Sequence, residues 1–178
     1  DPALVATCIT LLTAGHETTT GLITNGMLAL LHHPEQRRLL EENPDLIESA
    51  VDEFLRYDPP FQRTWRLTTE DVKMRGQQLR KGQVVSQMLG AASHDPEQFP
   101  DPDRLDITRR DSAHFTCGFG VHYCLGATLA HREAEIAIPM LLGCLSGLKM
   151  GVDEPEWKAN ITFHMPESLP LEFRPSAS

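Results

Sequence analysis

Apolar residues keep a helical period from the start of the chain. Leu4, Val5, Cys8, Leu11 and Leu12 are followed by Leu22, Ile23, Met27, Leu28, Leu30 and Leu31. This spacing predicts one helix of about thirty residues, long for a globular protein. It ends at His33-Pro34, because proline pushes the preceding residue out of the helical region. EQRRLLEEN then reads as a short polar helix stopping before Asn43-Pro44. Pro44 and Asp45 open a third helix whose buried stripe is Leu46, Ile47, Ala50, Val51, Phe54 and Leu55, and Tyr57-Asp58-Pro59-Pro60 closes it. From Arg63 to Leu89 the pattern turns strand-like (RTWRLT, DVKMRG, QQLRKG, QVVSQML), with Gly76 and Gly82 at turns, and predicts a small sheet of hairpins. SHDPEQFPDPDRLDITRRD reads as an ordered but irregular meander anchored by Phe99, Leu105 and Ile107. A last helix, ATLAHREAEIAIPMLL, should kink at Pro139. Short strands are expected around Ile161–His164 and Leu171–Phe173. The expected class is mainly α with small β-sheets.

Composition narrows the function. The 178 residues suit one domain with a proper core. A net charge of −9 without a basic run argues against a nucleic acid partner. Four scattered cysteines (Cys8, Cys117, Cys124, Cys144) form no disulfide framework and point to a reducing cytoplasm. The first helix is interrupted by Thr7, Thr10, Thr13, His16 and Glu17, so no membrane span is expected. Its apolar surface needs cover on several sides, more than the rest of the chain offers, and a fragment of a larger protein is expected.

The richest chemistry lies in FTCGFGVHYCLGATLA, Phe115–Ala130. A loop punctuated by Gly118 and Gly120 delivers Cys124 to the start of a helix, where free N–H groups and the helix dipole favour a thiolate. Three readings compete. Cys124 could pack as a small hydrophobe. It could join Cys117, His122 and His114 or His131 around structural zinc, although the cysteines lack paired short spacing. It could also be the axial thiolate of a haem iron, since Gly118, Gly120 and Gly126 leave room for a planar group against the main chain.

Two further groups stand out. AGHETT places Ala14 and Gly15, with little side chain, beside Glu17 and Thr18 on an apolar helix. The plain reading is threonines bonding back one turn; the functional one is a locally distorted helix whose acid and alcohol relay protons. Glu53 and Arg56 stand at i and i+3, either as an exposed ion pair or as a buried one with a further cation.

In order and spacing, AGHETT, EFLR (Glu53–Arg56), DPDRLDITR (Asp101–Arg109) and CGFGVHYCLG (Cys117–Gly126) resemble the motifs of the haem-thiolate monooxygenases, the cytochrome P-450 family, in its soluble bacterial branch. The resemblance covers essentially the whole chain. It implies the C-terminal part of that fold: long central helix, E-x-x-R helix, β-hairpins, meander, cysteine-ligand loop and following helix. Residues 1–178 would be a single partial domain lacking the N-terminal part.

The resemblance also implies roles. Cys124 would be the iron ligand of haem b (iron protoporphyrin IX). Arg66 and His122 match positions that hold the propionates. Ala14, Gly15, Gly118, Phe119 and Gly126 would lie about the cofactor, with Ala14 and Gly15 leaving room for dioxygen and substrate. Glu17 and Thr18 would deliver protons, and Glu53, Arg56 and Arg109 would form the structural charge cluster. Phe61, Gln62 and Thr64 would line the substrate pocket. Expected partners are a small organic substrate, O2, and a ferredoxin-type electron donor with its reductase, docking near Arg109, Arg110, His131 and Arg132. Two positions depart from the pattern: Cys117 replaces the usual phenylalanine seven residues before the ligand, and His131 replaces a common arginine. The competing readings are a zinc-binding structural module and a non-catalytic truncated remnant.

Overall fold

The computed structural model describes residues 1–110 and 113–175. Helix α1 spans Pro2–His32, with Asp1 capping it by accepting from Ala3 N–H at 2.9 Å and proline at its first position. It ends at His33, in an extended conformation imposed by Pro34, the first residue of α2 (Pro34–Glu42). A 3₁₀ turn, Pro44–Leu46, leads into α3 (Ile47–Tyr57). Strand β1 (Arg63–Leu67) pairs antiparallel with β4 (Val84–Met88), with Trp65 opposite Ser86. Between them the hairpin of β2 (Val72–Met74) and β3 (Gln77–Leu79) turns on Arg75 and Gly76, both at positive φ, as a two-residue hairpin loop requires. A four-residue helix, α4 (Leu89–Ala92), precedes the irregular meander, and α5 spans Ala127–Cys144. Strand β5 (Leu145–Met150) pairs with β6 (Leu171–Pro175).

The core lies where α1, α3 and α5 meet. Leu22, Met27, Leu30, Ala50, Val51, Phe54 and Ile138 are sealed there, and Leu105 and Ile107 of the meander plug one side. The expected stripe on α3 is thus the buried one from Ala50 onward. Gly21 and Gly26 make the close crossing possible. A Cβ on Gly21 would stand 2.6 Å from the Pro60 ring, and one on Gly26 would stand 2.9 Å from Phe54. The N-terminal turns of α1 pack on little: Leu4, Ile9 and Leu12 are each more than half exposed. No helix among the described residues is long and apolar enough to cross a membrane.

One expectation needs correction, and one element was not foreseen. Ile161–His164 is not a strand. It makes an isolated bridge, Phe163 to Phe61, with Gln62 N–H donating to Thr162 O and His164 N–H to Pro60 O. Strand β5 was absent from the expected elements, because its LSGLKM pattern alternates poorly and its partner β6 lies far along the chain. The helix α5 continues through Pro139 to Cys144.

Gly21→Val should cost about 2 kcal/mol through overpacking against a rigid ring. Gly15→Ala, with nothing near its Cβ position, should be neutral or stabilising by up to about 1 kcal/mol. Chemical denaturation of both variants checks the contrast.

Candidate functional site

The cysteine loop folds on its own backbone. Gly118 N–H donates to Phe115 O at 2.7 Å and Cys124 N–H to Cys117 O at 2.8 Å. Gly118 (φ 77°) and Gly120 (φ 69°) adopt the left-handed conformation that a side chain would strain. A 3₁₀ turn, Gly120–His122, then places Cys124 just before Gly126, the N-cap of α5, and Ala127 N–H donates to Cys124 O at 3.3 Å. Thr116 Oγ1 anchors the loop to α3 by donating to Leu55 O at 2.8 Å. Cys124 is exposed. Cys117 beside it is half-buried, and burial, reinforced by Cys124, pushes its thiol up to about 11, so it stays protonated.

Cys124 opens onto a cavity of about 560 Å³. From α1 come Ala14 and Thr18; from the Phe61 segment and β1 come Phe61, Thr64 and Arg66; from the loop come Gly118 and His122. Eight of the residues singled out by sequence therefore share one mostly apolar space. Arg66 donates to Thr64 Oγ1 at 3.1 Å and to Trp65 O at 2.8 Å.

Others lie elsewhere. Gly15 faces a separate groove against α5 with His16, Thr19 and Ile136. Glu17 pairs with Lys158 Nζ at 3.5 Å, half-exposed. Gln62 donates to Pro59 O at 2.8 Å and is outside the cavity lining. Phe119 points outward, 82% exposed, and Gly126 acts as the helix cap. Nor is α1 distorted at AGHETT. It is α-helical from Pro2 to His32, and Thr18 Oγ1 donates to Ala14 O at 2.6 Å, as Thr7, Thr10, Thr20 and Thr24 do to their own preceding turns.

Local periodicity did not single out Phe163. It reaches the cavity from the far C-terminal segment, which Asn25 of α1 holds by donating to His164 O at 2.8 Å and Asp58 O at 3.1 Å. Thr10, Thr13 and Leu89 also line the space. The two threonines were visible as polar breaks in an apolar run, whereas nothing local marked Leu89.

Glu53 and Arg56 are wholly buried. Arg56 Nε and Nη2 donate to the two Glu53 carboxylate oxygens at 2.8 and 2.9 Å. Its remaining donors reach Ser93 O, Pro102 O and Arg104 O, so all five N–H groups are used. Glu53 also accepts from Asp106 N–H at 2.9 Å, and Arg109 Nε stands 3.2 Å from it. The expected trio is brought together. Arg109 Nη1 donates to Pro100 O and its side chain is largely covered, so it is not a free docking contact. Arg132 is exposed and pairs with Glu135 at 2.6 Å.

Below the loop, His131 Nε2 sits 2.9 Å from Asp52 Oδ1. The hydrogen bond to Asp52 raises His131, and the one to Asp58 raises His164. Burial drives His114 the other way, from 6.5 to about 4.

Across an apolar cavity, then, a glycine-shaped loop presents a thiol at a helix start while a threonine-bearing helix forms the facing wall. The chain belongs to the cytochrome P450 family, whose sequence profile matches residues 1–160. The family is generally one of monooxygenases and implies a haem cofactor. The chain is 47% identical to the biotin biosynthesis cytochrome P450 of Bacillus subtilis over 168 residues, 94% of this chain and 42% of that protein. It is 45% identical to the vitamin D(3) 25-hydroxylase of Pseudonocardia autotrophica over 178 residues, 98% of this chain and 44% of that protein. Among solved structures, P450BioI in complex with an acyl carrier protein ligated to hexadec-9Z-enoic acid superposes with a TM-score of 0.91 at 47% identity, covering 94% of this chain and 44% of that one. The chain thus spans less than half the length of these relatives, and the fold is the matching part of theirs.

Replacing Glu53 with glutamine should lower stability by about 3 kcal/mol, because Arg56 is left buried without its counter-charge. Denaturant titration checks this, and a loss below about 1 kcal/mol would show that the pair is dispensable.

His114 sets a pH dependence. Its depressed value means the stability it contributes is complete above pH 6.5 and is lost as pH falls toward about 4. His131 and His164 act oppositely, contributing below 6.5 and losing that contribution as pH rises through their raised values. His114→Phe should flatten the acid limb between 6.5 and 4, measured as the slope of unfolding free energy against pH.

Proposed function

We propose that this chain forms the haem-thiolate wall and part of the distal wall of a monooxygenase acting on a small organic substrate. The observation that carries this reading is the placement of Cys124, His122 and Arg66 on the same cavity as Ala14 and Thr18. The donor set fits haem b. A single exposed thiol at a helix start supplies the iron ligand, and a cation and an imidazole on the rim suit two carboxylates. Arg66 has no acidic partner among the described ion pairs, so a propionate would complete its charge.

When bound, haem iron supplies reductive activation of O2, with one oxygen atom passing to the substrate and the other to water. The chain's own residues do the rest. The loop would present the Cys124 sulfur to the iron at the start of α5. Ala14 leaves open space above the thiol. The Thr18 hydroxyl, now bonded to Ala14 O, offers its lone pairs to the cavity and can hand on a proton by rotating. Glu17 is half-exposed and faces Lys158 rather than the cavity, so in this reading its side chain would have to turn inward to deliver protons toward Thr18. Phe61, Leu89 and Phe163 exclude water and favour apolar substrates.

In this reading residues 1–178 are one partial domain, and the bare apolar face of α1 is covered by the remainder of a longer fold. The parent protein works in the cytoplasm and takes electrons from a ferredoxin-type donor with its reductase. Arg132 on α5 is exposed, as is Arg110 ahead of the cysteine loop in sequence, and both are proposed as contacts for that donor.

The test is the absorption spectrum of the reduced, carbon-monoxide-treated parent protein. A strongly red-shifted Soret band that disappears in Cys124→Ala supports the assignment. A colourless protein whose metal depends on both Cys117 and Cys124 would instead support a zinc module, and no haem under any condition a remnant. Cys117 adds a second outcome. A small protonated thiol where the family has a ring shields the thiolate less, so Cys117→Phe should shift the reduction potential and slow haem loss. Unchanged values for both would contradict that role.

A further inference from the structure

Asp52 on α3, His131 on α5 and His114 at the entry to the cysteine loop bring one carboxylate and two imidazoles together from separate stretches of chain. One ligand atom from each lies within 4.8 Å of the others, and all three residues are half-buried. We propose that they form a binding site for a small divalent transition-metal ion of the zinc type.

The donors suit that class. Two imidazoles and a carboxylate favour zinc, cobalt or nickel over magnesium or calcium, which take oxygen-rich shells. His131 is already oriented as metal-bound histidines usually are. Its Nδ1 donates to Ala127 O at 2.8 Å, leaving Nε2 toward Asp52 Oδ1 at 2.9 Å. A cation inserted between them takes the place of the Nε2 proton, so the Asp52 charge remains balanced. His114 is held on its Nδ1 side by a long contact, 3.2 Å from Thr116 N, which is weak enough to exchange for coordination.

The scale also fits. Donors around a tetrahedral ion with bonds of about 2.1 Å stand roughly 3.4 Å apart. The widest spacing here must therefore close by somewhat more than an ångström, within reach of side-chain rotation. Three protein ligands leave a fourth position for water. The bound ion would tie α3, α5 and the cysteine loop at one point. The site arises at His131, the position where the sequence departs from the expected arginine. His131 also borders the Cys124 cavity, but none of the three ligands is assigned to the iron or the propionates in the haem reading, so the two can fail separately.

Cobalt(II), a spectroscopic stand-in for zinc, tests it by titration of the haem-free parent protein. The expected result is a single bound ion with visible d–d bands and no sulfur-to-cobalt charge-transfer band. Asp52→Asn and His131→Arg should each weaken binding about tenfold or more, while Cys117→Ser and Cys124→Ser leave it unchanged. His131→Arg keeps a cation against Asp52, and circular dichroism verifies its fold; Asp52→Asn decides the matter if that variant unfolds. Unchanged affinity in the folded variants, or thiolate bands that vanish with either cysteine, would overturn the proposal.

Discussion

The Glu53–Arg56 pair is the constraint around which the rest is arranged. Sealing both charges from water costs several kcal/mol per ion unless each is fully bonded. Arg56 meets that condition by taking carbonyls at Ser93, Pro102 and Arg104 as well as both carboxylate oxygens. The meander has no ladder of its own, so these bonds to a single guanidinium give its backbone a defined path. The path brings Phe99, Leu105 and Ile107 into the core and leads the chain toward the cysteine loop.

The loop inherits that placement. Thr116 ties it to the last turn of α3, the helix that carries the pair. Two left-handed glycines then bend it so that Cys124 emerges at the start of α5. Opposite, α1 approaches closely only where Gly21 and Gly26 allow it, which leaves the Ala14–Thr18 stretch standing off across a cavity rather than packed on the loop.

Much of this was legible in the sequence because the signals are local. The helices followed from period and proline punctuation, and the trio Glu53, Arg56 and Arg109 came together as its spacing and family resemblance implied. What was missed depends on distant partners. Phe163 lines the cavity because Thr162–His164 pairs with Pro60–Gln62, a hundred residues earlier in the chain. Strand β5 exists because β6 returns to it. Glu17 and Gly15 point away from the cavity because an undistorted helix carries them past it, and the AGHETT motif cannot reveal that rotation. Gln62 turns to its own Pro59 carbonyl, a choice set by the turn rather than by residue type.

The account stands or falls on Cys124 as the iron ligand, with Cys117 only its neighbour. X-ray absorption at the iron edge of the haem-loaded protein tests this most directly. One sulfur should appear in the first coordination shell, persist in Cys117→Ser and be lost in Cys124→Ser. A shell of nitrogen and oxygen alone, or a sulfur that survives replacement of Cys124, would contradict it.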